Sequence, residues 1–300
     1  MATVAEQTPT AVAAAARPRS PRRRSARGGG LLAVMVEHSV AVVLAIAFLA
    51  PFVIVVLTAM MTDRQALSGN VWPHPFRWAN FGDVLARNDI PRYAANTFLY
   101  AGLSTVGVLL SSIPVAYALS RIRWRGRGVA FVAVLATMML PVQVTVVPIY
   151  VMFAKLHWVG TLAPLIIPNF FGDAFSIFLL RQFFLTIPEE YADAARVDGA
   201  GEWRILLSIV VPLAKPAIAA VGLFSFLYAW NDFFGPLLYL GERQENWTLS
   251  VALSQFRGLY HVQWNLTMAA TVLFMLPAVL IFFAAQRSFV EGVTLTGVKG

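Results

Sequence analysis

Six long apolar runs, set apart by short polar or charged stretches, organise this chain. A membrane-crossing helix needs about 20 mostly apolar residues, and each run is long enough. The first extends from Ser39 to Met61 and stops at Thr62 and Asp63, the second from Tyr93 to Ser120 before Arg121, and the third from Gly128 to Ala154 before Lys155. The fourth, Val159 to Leu180, contains a single charge, Asp173; the fifth, Pro216 to Leu240, contains only Asp232; the sixth runs from Val262 to Gln286 before Arg287. The pattern predicts an all-α membrane protein with six transmembrane helices over approximately 39–61, 93–120, 128–154, 159–180, 216–240 and 262–286. Each run also holds a proline: Pro51, Pro114, Pro141 with Pro148, Pro164 with Pro168, Pro236 and Pro277. Proline frees a backbone carbonyl that, in lipid, needs a protein neighbour or water. Single prolines are tolerated in membrane helices, and their presence in every run leans towards helices that rearrange.

Composition narrows the class further. Apolar residues make up 58% of the 300-residue chain and charged residues 13%, against about 45–50% and about 25% in soluble domains. That excludes a water-coated globular enzyme and a disordered chain alike. There is no cysteine, hence no disulfide, thiolate nucleophile or cysteine metal site. The net charge of +8 is unevenly distributed. The N-terminal tail (Arg17 to Arg27), the second–third loop (Arg121 to Arg127), the fourth–fifth loop (Arg181, Arg196, Arg204, Lys215) and the C-terminal end (Arg287, Lys299) together carry 16 basic residues. The opposite side carries 7: Arg64, Arg77, Arg87, Arg92, Lys155, Arg243 and Arg257. Basic residues collect on the cytoplasmic side, so both termini are expected in the cytoplasm of a multi-pass protein of the cell (inner or plasma) membrane.

Two regions follow: a disordered Arg-rich cytoplasmic tail over 1–30, ending in the hinge Gly28-Gly29-Gly30, and a transmembrane domain over 31–300. A cleaved signal peptide competes for the tail, but its apolar core would be only about 7–15 residues. A nucleic-acid arm also competes, but beside a membrane span six arginines suit topology and lipid headgroups better.

The longest inside segment, Arg181 to Lys215, is more than a connector. Thr186-Ile187-Pro188-Glu189 reads as a capping box with proline in the first turn. Glu190 to Asp198 is rich in helix formers, Gly199 suits a left-handed stop, and a second helical stretch runs from Glu202 to Val211. Helix, glycine turn and helix would lie at the membrane surface. The small residues Ala194, Ala195, Gly199 and Ala200 leave a shallow face for a partner backbone; a surface helix resting on headgroups fits the spacing equally well.

Asp193-Ala194-Ala195, Asp198-Gly199-Ala200 and Val211-Pro212-Leu213, in that order, resemble the Glu-Ala-Ala, Asp-Gly-Ala and Leu-Pro signature of the permease subunits of ABC importers, in the carbohydrate-uptake group that includes the maltose permeases. Asp193 stands where that family usually has Glu, keeping the charge on a side chain one methylene shorter. The resemblance covers nearly all of the chain after the tail: Ala118-Leu119-Ser120-Arg121 with Arg125-Gly126, Met139-Leu140-Pro141, Phe178 to Phe184, Trp230-Asn231-Asp232, and Phe289 to Gly300 are all similar to family patterns. It implies a type I ABC importer permease fold, with six transmembrane helices and a cytoplasmic helix-turn-helix coupling loop over 186–212. In that loop Asp193, Ala194, Ala195, Asp198, Gly199 and Ala200 would dock onto a separate ATPase. It further implies a second homologous permease chain, two ATP-binding subunits that hold ATP and Mg, an extracytoplasmic solute-binding protein, and a sugar or oligosaccharide substrate. The sequence supports that division of labour independently. A phosphate-binding loop needs Lys before Ser or Thr, and the lysines Lys155, Lys215 and Lys299 precede Leu156, Pro216 and Gly300. No cofactor and no catalytic residue is expected on this chain.

Ionisable groups at membrane depth default to a functional reading. Asn169, Asp173, Trp230 and Asn231 are candidates for a substrate pathway, with aromatic rings nearby to stack on sugar faces. The plainer reading is that Asp173 and Asp232 fix helix packing, and for Asp232 it is preferred. The same acids would serve a proton- or sodium-coupled carrier, but carriers show internal repeats and no convincing repeat is present. His38, His74, His157 and His261 lack zinc-helix spacing, and no metal site is expected. The aromatic outer loop around Trp72 to Trp78 suits interfacial anchoring or contact with an external binding protein.

Overall fold

The computed structural model describes residues 31–86, 89–241, 243–254 and 262–297. The Arg-rich tail 1–30, Arg87, Arg257, His261 and the terminal Val298-Lys299-Gly300 lie outside the described residues. The chain divides into two compact units, Met1–Ala50 and Pro51–Gly300. Within the first, residues 34–50 form an unbroken helical stretch with every side chain exposed. This is the start of α1 (Leu31–Ala59), and an apolar helix bare on all sides needs hydrocarbon around it.

In the second unit, α2 (Asp63–Leu67) and α3 (Ala79–Ala86) fold the segment after α1. Thr62 and Gln65 form a reciprocal capping box at the start of α2. Asn80, only 1% exposed, donates from Nδ2 to the carbonyls of Ala59 and Met61 at 2.8 Å each, so two buried acceptors are satisfied by one side chain. The remaining helices are α4 (Ile90–Ser120), α5 (Arg127–Thr137), α6 (Val142–Lys155), α7 (Ala163–Ile166), α8 (Ala174–Thr186), α9 (Glu190–Val197), α10 (Glu202–Ile205), α11 (Val211–Leu213), α12 (Lys215–Asn231), α13 (Phe234–Leu240), α14 (Leu249–Ser254) and α15 (Trp264–Gly297). No strand occurs among the described residues.

Among the described residues, helices long and apolar enough to cross a membrane are Val34–Ala59, Ile90–Ser120, Ala163–Thr186 and Trp264–Ala284; two bent pairs, counted as one span each, bring the total to six. The count agrees with the six apolar runs, and three of the spans are broken rather than continuous helices. The third bends by 92° between Thr137 and Val142. Pro141 takes an extended conformation (ψ 135°) there, and a residue before proline, here Leu140, is pushed out of the helical region. The fourth is interrupted by a 3₁₀ segment, Ile167–Phe171, and by Gly172 at φ +109°. It then continues as α8 to Thr186, past the expected end at Leu180. The fifth run is preceded by an 81° bend at Ala214, where the end of the 186–212 loop meets α12; α12 ends at Asn231 because Asp232 is extended, and the last part of the run restarts as α13. The 17 residues of α12 reach about 25 Å at 1.5 Å each, short of the roughly 30 Å hydrocarbon core, so the break lies inside the span.

The central element is α4, which packs against α8, α12 and the 3₁₀ segment, while α12 also packs against α15. One apolar cluster gathers Tyr93, Tyr100, Trp230, Leu240, Leu249 and Leu266. A second gathers Val108, Tyr117, Leu180, Phe184, Ile205 and Val221, and includes Ala192 of the short helix α9. Because α4 runs through both, it joins the middle of the bundle to the 186–212 loop. At Gly107 α4 lies against the 3₁₀ segment: a Cβ there would sit 2.7 Å from the Phe170 ring.

Candidate functional site

The breaks in the spans line a half-open cavity of about 880 Å³ in the second unit. Each broken element contributes: Met138 and Val142 from the third span, Asn169 and Asp173 from the fourth, Asp232, Phe234 and Gly235 from the fifth. Tyr100 and Ser104 of α4 complete the wall. An interrupted helix at membrane depth leaves backbone groups free, and such breaks are tolerated where they line a cavity. The two membrane-depth acids both line it, and both are tied down locally. Asp173 Oδ2 accepts the Ser176 N–H at 2.7 Å, capping α8. Asp232 Oδ1 accepts the Gly235 N–H at 3.1 Å, and its Oδ2 accepts the Tyr100 hydroxyl at 2.9 Å. Neither makes an ion pair among the described residues. Capping and lining are therefore compatible: the packing role expected for Asp232 is present, and its carboxylate faces the cavity's residues as well. Asn169 donates to the Leu165 carbonyl at 2.7 Å and to the Ser104 hydroxyl at 3.2 Å, holding the 3₁₀ segment on α4.

Trp230 and Asn231 are not with this group. They line a separate space of about 400 Å³ with Phe233, Ser250 and Phe274. The Trp230 ring is buried, packs edge-on to Phe98 at 4.8 Å, and donates its N–H to the Phe274 carbonyl at 3.1 Å. The Asn231 amide turns back on its own helix to the Leu227 carbonyl at 2.8 Å. The four pathway candidates thus divide, Asn169 and Asp173 on the larger cavity and Trp230 with Asn231 on the smaller. Helix geometry explains the division, because residues 230 and 231 point away from Tyr228 and Asp232 around a helix that ends between them.

The 186–212 loop is a helix-turn-helix, with one correction to its start. Thr186 is the last residue of α8, and its hydroxyl donates to the Phe183 carbonyl at 2.7 Å, so it does not cap α9. Pro188 instead ends the approach and Glu189 precedes α9 without a side-chain cap. Gly199 is left-handed at φ +79°, with its N–H on the Arg196 carbonyl at 3.0 Å and that of Ala200 on Ala195 at 2.9 Å, a helix stop of the kind the sequence predicts. The turn leads through Gly201 into α10, one π-helical turn (Leu206–Val210) and α11.

What anchors the loop is a polar chain that sequence reasoning missed. Asp193 Oδ1 accepts Arg196 Nη1 at 2.7 Å, Arg196 Nε donates to Glu202 Oε1 at 3.0 Å, and Glu202 Oε2 accepts the Tyr117 hydroxyl at 2.5 Å. Bonding to Glu202 raises the Arg196 guanidinium above its ordinary value. Beside it, Arg121 donates to the carbonyls of Phe184 and Ile187, where burial lowers its own affinity for the proton. The Asp193 carboxylate, with its shorter reach, is thus engaged within the loop. Tyr117 carries the one available signal, a phenol near the end of an otherwise apolar run. The loop's surface pairs small and charged residues with exposed apolar ones, Tyr191 (55% exposed) and Val197 (88%) on α9 and Trp203 and Leu207 beyond the glycine turn, while Ala192 on the inner face of α9 is buried.

Comparison with known proteins agrees with this arrangement. A family model described as the binding-protein-dependent transport system inner membrane component matches residues 92–294. The sn-glycerol-3-phosphate transport system permease protein UgpE of Yersinia pestis is 31% identical over 268 residues, covering 85% of this chain and 94% of its own. The osmoprotective compounds uptake permease protein GgtD of a Synechocystis species is 32% identical over 225 residues, covering 75% and 76%. Among solved structures, a bacterial ABC transporter involved in the import of the acidic polysaccharide alginate superposes with a TM-score of 0.76 at 25% identity, over 86% of this chain and 96% of the matched one. With cavity, helix-turn-helix loop and broken spans in place, the chain belongs to the family of binding-protein-dependent transport system inner membrane components.

Proposed function

We propose that this chain is one membrane-spanning permease subunit of an ATP-driven ABC importer for a sugar or oligosaccharide. Its partners are a second homologous permease, two ATPase subunits that hold ATP and Mg, and an extracytoplasmic solute-binding protein. The carrier alternative has no place for a binding protein and is set aside with family membership. Both termini lie in the cytoplasm, following the 16-to-7 bias of basic residues. The observation that carries the reading is the joined pair of features on α4: its middle lines the cavity and its end is bonded to the 186–212 loop through Tyr117. When the ATPase pair closes, force on α9 passes through Arg196 and Glu202 into α4 and opens or shuts the cavity. Asp193, Ala194, Ala195, Asp198, Gly199 and Ala200 form the docking surface, with Tyr191 and Val197 as its apolar contacts; Asn169 and Asp173 belong to the solute path.

Val197→Asp places a charge on the most exposed apolar residue of the docking helix. Desolvating it against a partner costs at least about 1.4 kcal/mol, or about tenfold in affinity. In detergent-solubilised membranes, about tenfold less ATPase should co-purify with the variant, while the permease pair itself stays intact. Undiminished ATPase recovery would show that α9 is not the docking element.

A further inference from the structure

The lining of the 880 Å³ cavity has a definite charge: it includes Asp173 and Asp232 and, among the described residues, no Lys, Arg or His. Both carboxylates accept hydrogen bonds from backbone or phenol donors. Asp173 engages only Oδ2 and keeps Oδ1 as an unused acceptor among the described residues. The remaining wall supplies rings, including Phe175, Phe224, Tyr228 and Tyr239, and neutral hydroxyls such as Thr145 and Ser225. Carboxylates that accept pairs of hydroxyls, beside rings that cover C–H faces, suit an uncharged polyol. A phosphate or uronate would meet two like charges with no cation to offset them, inside low-dielectric walls that strengthen the repulsion.

We propose that this cavity is charge-selective, admitting uncharged sugars and polyols and rejecting phosphorylated or uronic ones. The proposal rests on the reading that this chain lines the solute path, and it separates the chain from relatives whose names specify glycerol phosphate or an acidic polysaccharide. Both of those cargoes are anions, and 31% and 25% identity leave room for a different lining.

The natural absence of cysteine supplies the test, since one introduced thiol is the only one on the chain. Ser225→Cys and, separately, Thr145→Cys are placed in the assembled importer in proteoliposomes. Each is labelled with a cationic trimethylammonium methanethiosulfonate and with an anionic sulfonate methanethiosulfonate. Rates are read by mass spectrometry and divided by those of a small free thiol. A cleft of one charge sign concentrates the opposite ion about tenfold or more, so the cation should label about tenfold faster than the anion. The preference should fall to near unity in an Asp173→Asn, Asp232→Asn background and part-way in either single variant, where asparagine keeps an oxygen for each cap. Equal normalised rates, a faster anion, a preference unmoved by the asparagines, or no labelling at either position would overturn the proposal. The pathway reading fails separately, if full labelling at both positions leaves ATP-driven uptake unchanged.

Discussion

Replacing Glu202 with alanine will uncouple the docking loop from the bundle and lower ATP-driven uptake by about 5- to 150-fold. Glu202 is where two bonds converge, from Arg196 at 3.0 Å and from Tyr117 at 2.5 Å. Hydrogen bonds to charged groups contribute about 1.5–3 kcal/mol each. The Glu202 side chain is 41% exposed and Arg196 33%, so solvent screening trims the pair's share. A net loss of about 1–3 kcal/mol remains, and at 1.4 kcal/mol per factor of ten this gives the stated range. The variant leaves the Tyr117 hydroxyl, on a residue only 3% exposed, without its acceptor. Glu202→Gln should recover part of the activity, because an amide oxygen can still accept from Tyr117. Measuring uptake alongside ATP hydrolysis separates the outcomes: hydrolysis should continue while transport falls. If both persist at the parental level, the chain from Asp193 to Tyr117 carries no force.

Gly107→Leu will destabilise the bundle by about 1–3 kcal/mol, with occasional overpacked sites costing more, and will distort the cavity as it does so. Even a methyl at this position comes 2.7 Å from the Phe170 ring, below any ordinary carbon contact. The ring sits on the 3₁₀ segment that also holds Asn169 against Ser104, so relief of the clash moves a cavity-lining residue. Gly102, five residues earlier on α4, has nothing within 4 Å of an added Cβ. Gly102→Ala should therefore leave the thermal unfolding midpoint unchanged or raise it slightly, through the better helix propensity of alanine. Thermal unfolding of the purified permease pair in detergent, run on both variants, checks the contrast. Equal midpoints would mean that α4 and the 3₁₀ segment do not meet at Phe170.

Much of this arrangement was legible in residue spacing. The six runs and their flanking charges are set by the thickness of hydrocarbon and the cost of charge within it, both independent of tertiary contacts. Gly199 was readable because only a left-handed residue closes a helix in that way, and its φ of +79° agrees. The breaks were less legible. Prolines at 141, 148 and 168 look alike in sequence, yet Pro148 lies inside α6 while Pro141 stands at the start of α6, after a 92° turn from α5. Which proline breaks a span depends on the neighbours that satisfy the freed carbonyls, and those come from elsewhere in the chain. The same holds for Thr186. Its spacing to Glu189 matches a capping box, but α8 continues through it because Phe183 and Phe184 are buried in the second apolar cluster.

The candidate site was legible in its residue types and not in its grouping. Asp173 and Asp232 stood out because charge is rare at membrane depth, and they line one cavity although 59 positions separate them. Trp230 and Asn231 stood out beside Asp232 and face another space, since adjacent positions on a helix point in different directions. Tyr117, Arg196 and Glu202 acquire their importance only when α4, α9 and α10 meet, and no local pattern announces that meeting.

In the proposed importer, ATP used by partner subunits drives a solute through this chain. Proteoliposomes holding the permease pair and both ATPases, with binding protein and radiolabelled solute on one side and ATP on the ATPase side, test it directly. Uptake should require both ATP and the binding protein and should stop when ATP is replaced by a non-hydrolysable analogue. Uptake sustained by a proton or sodium gradient after ATP is exhausted would contradict it.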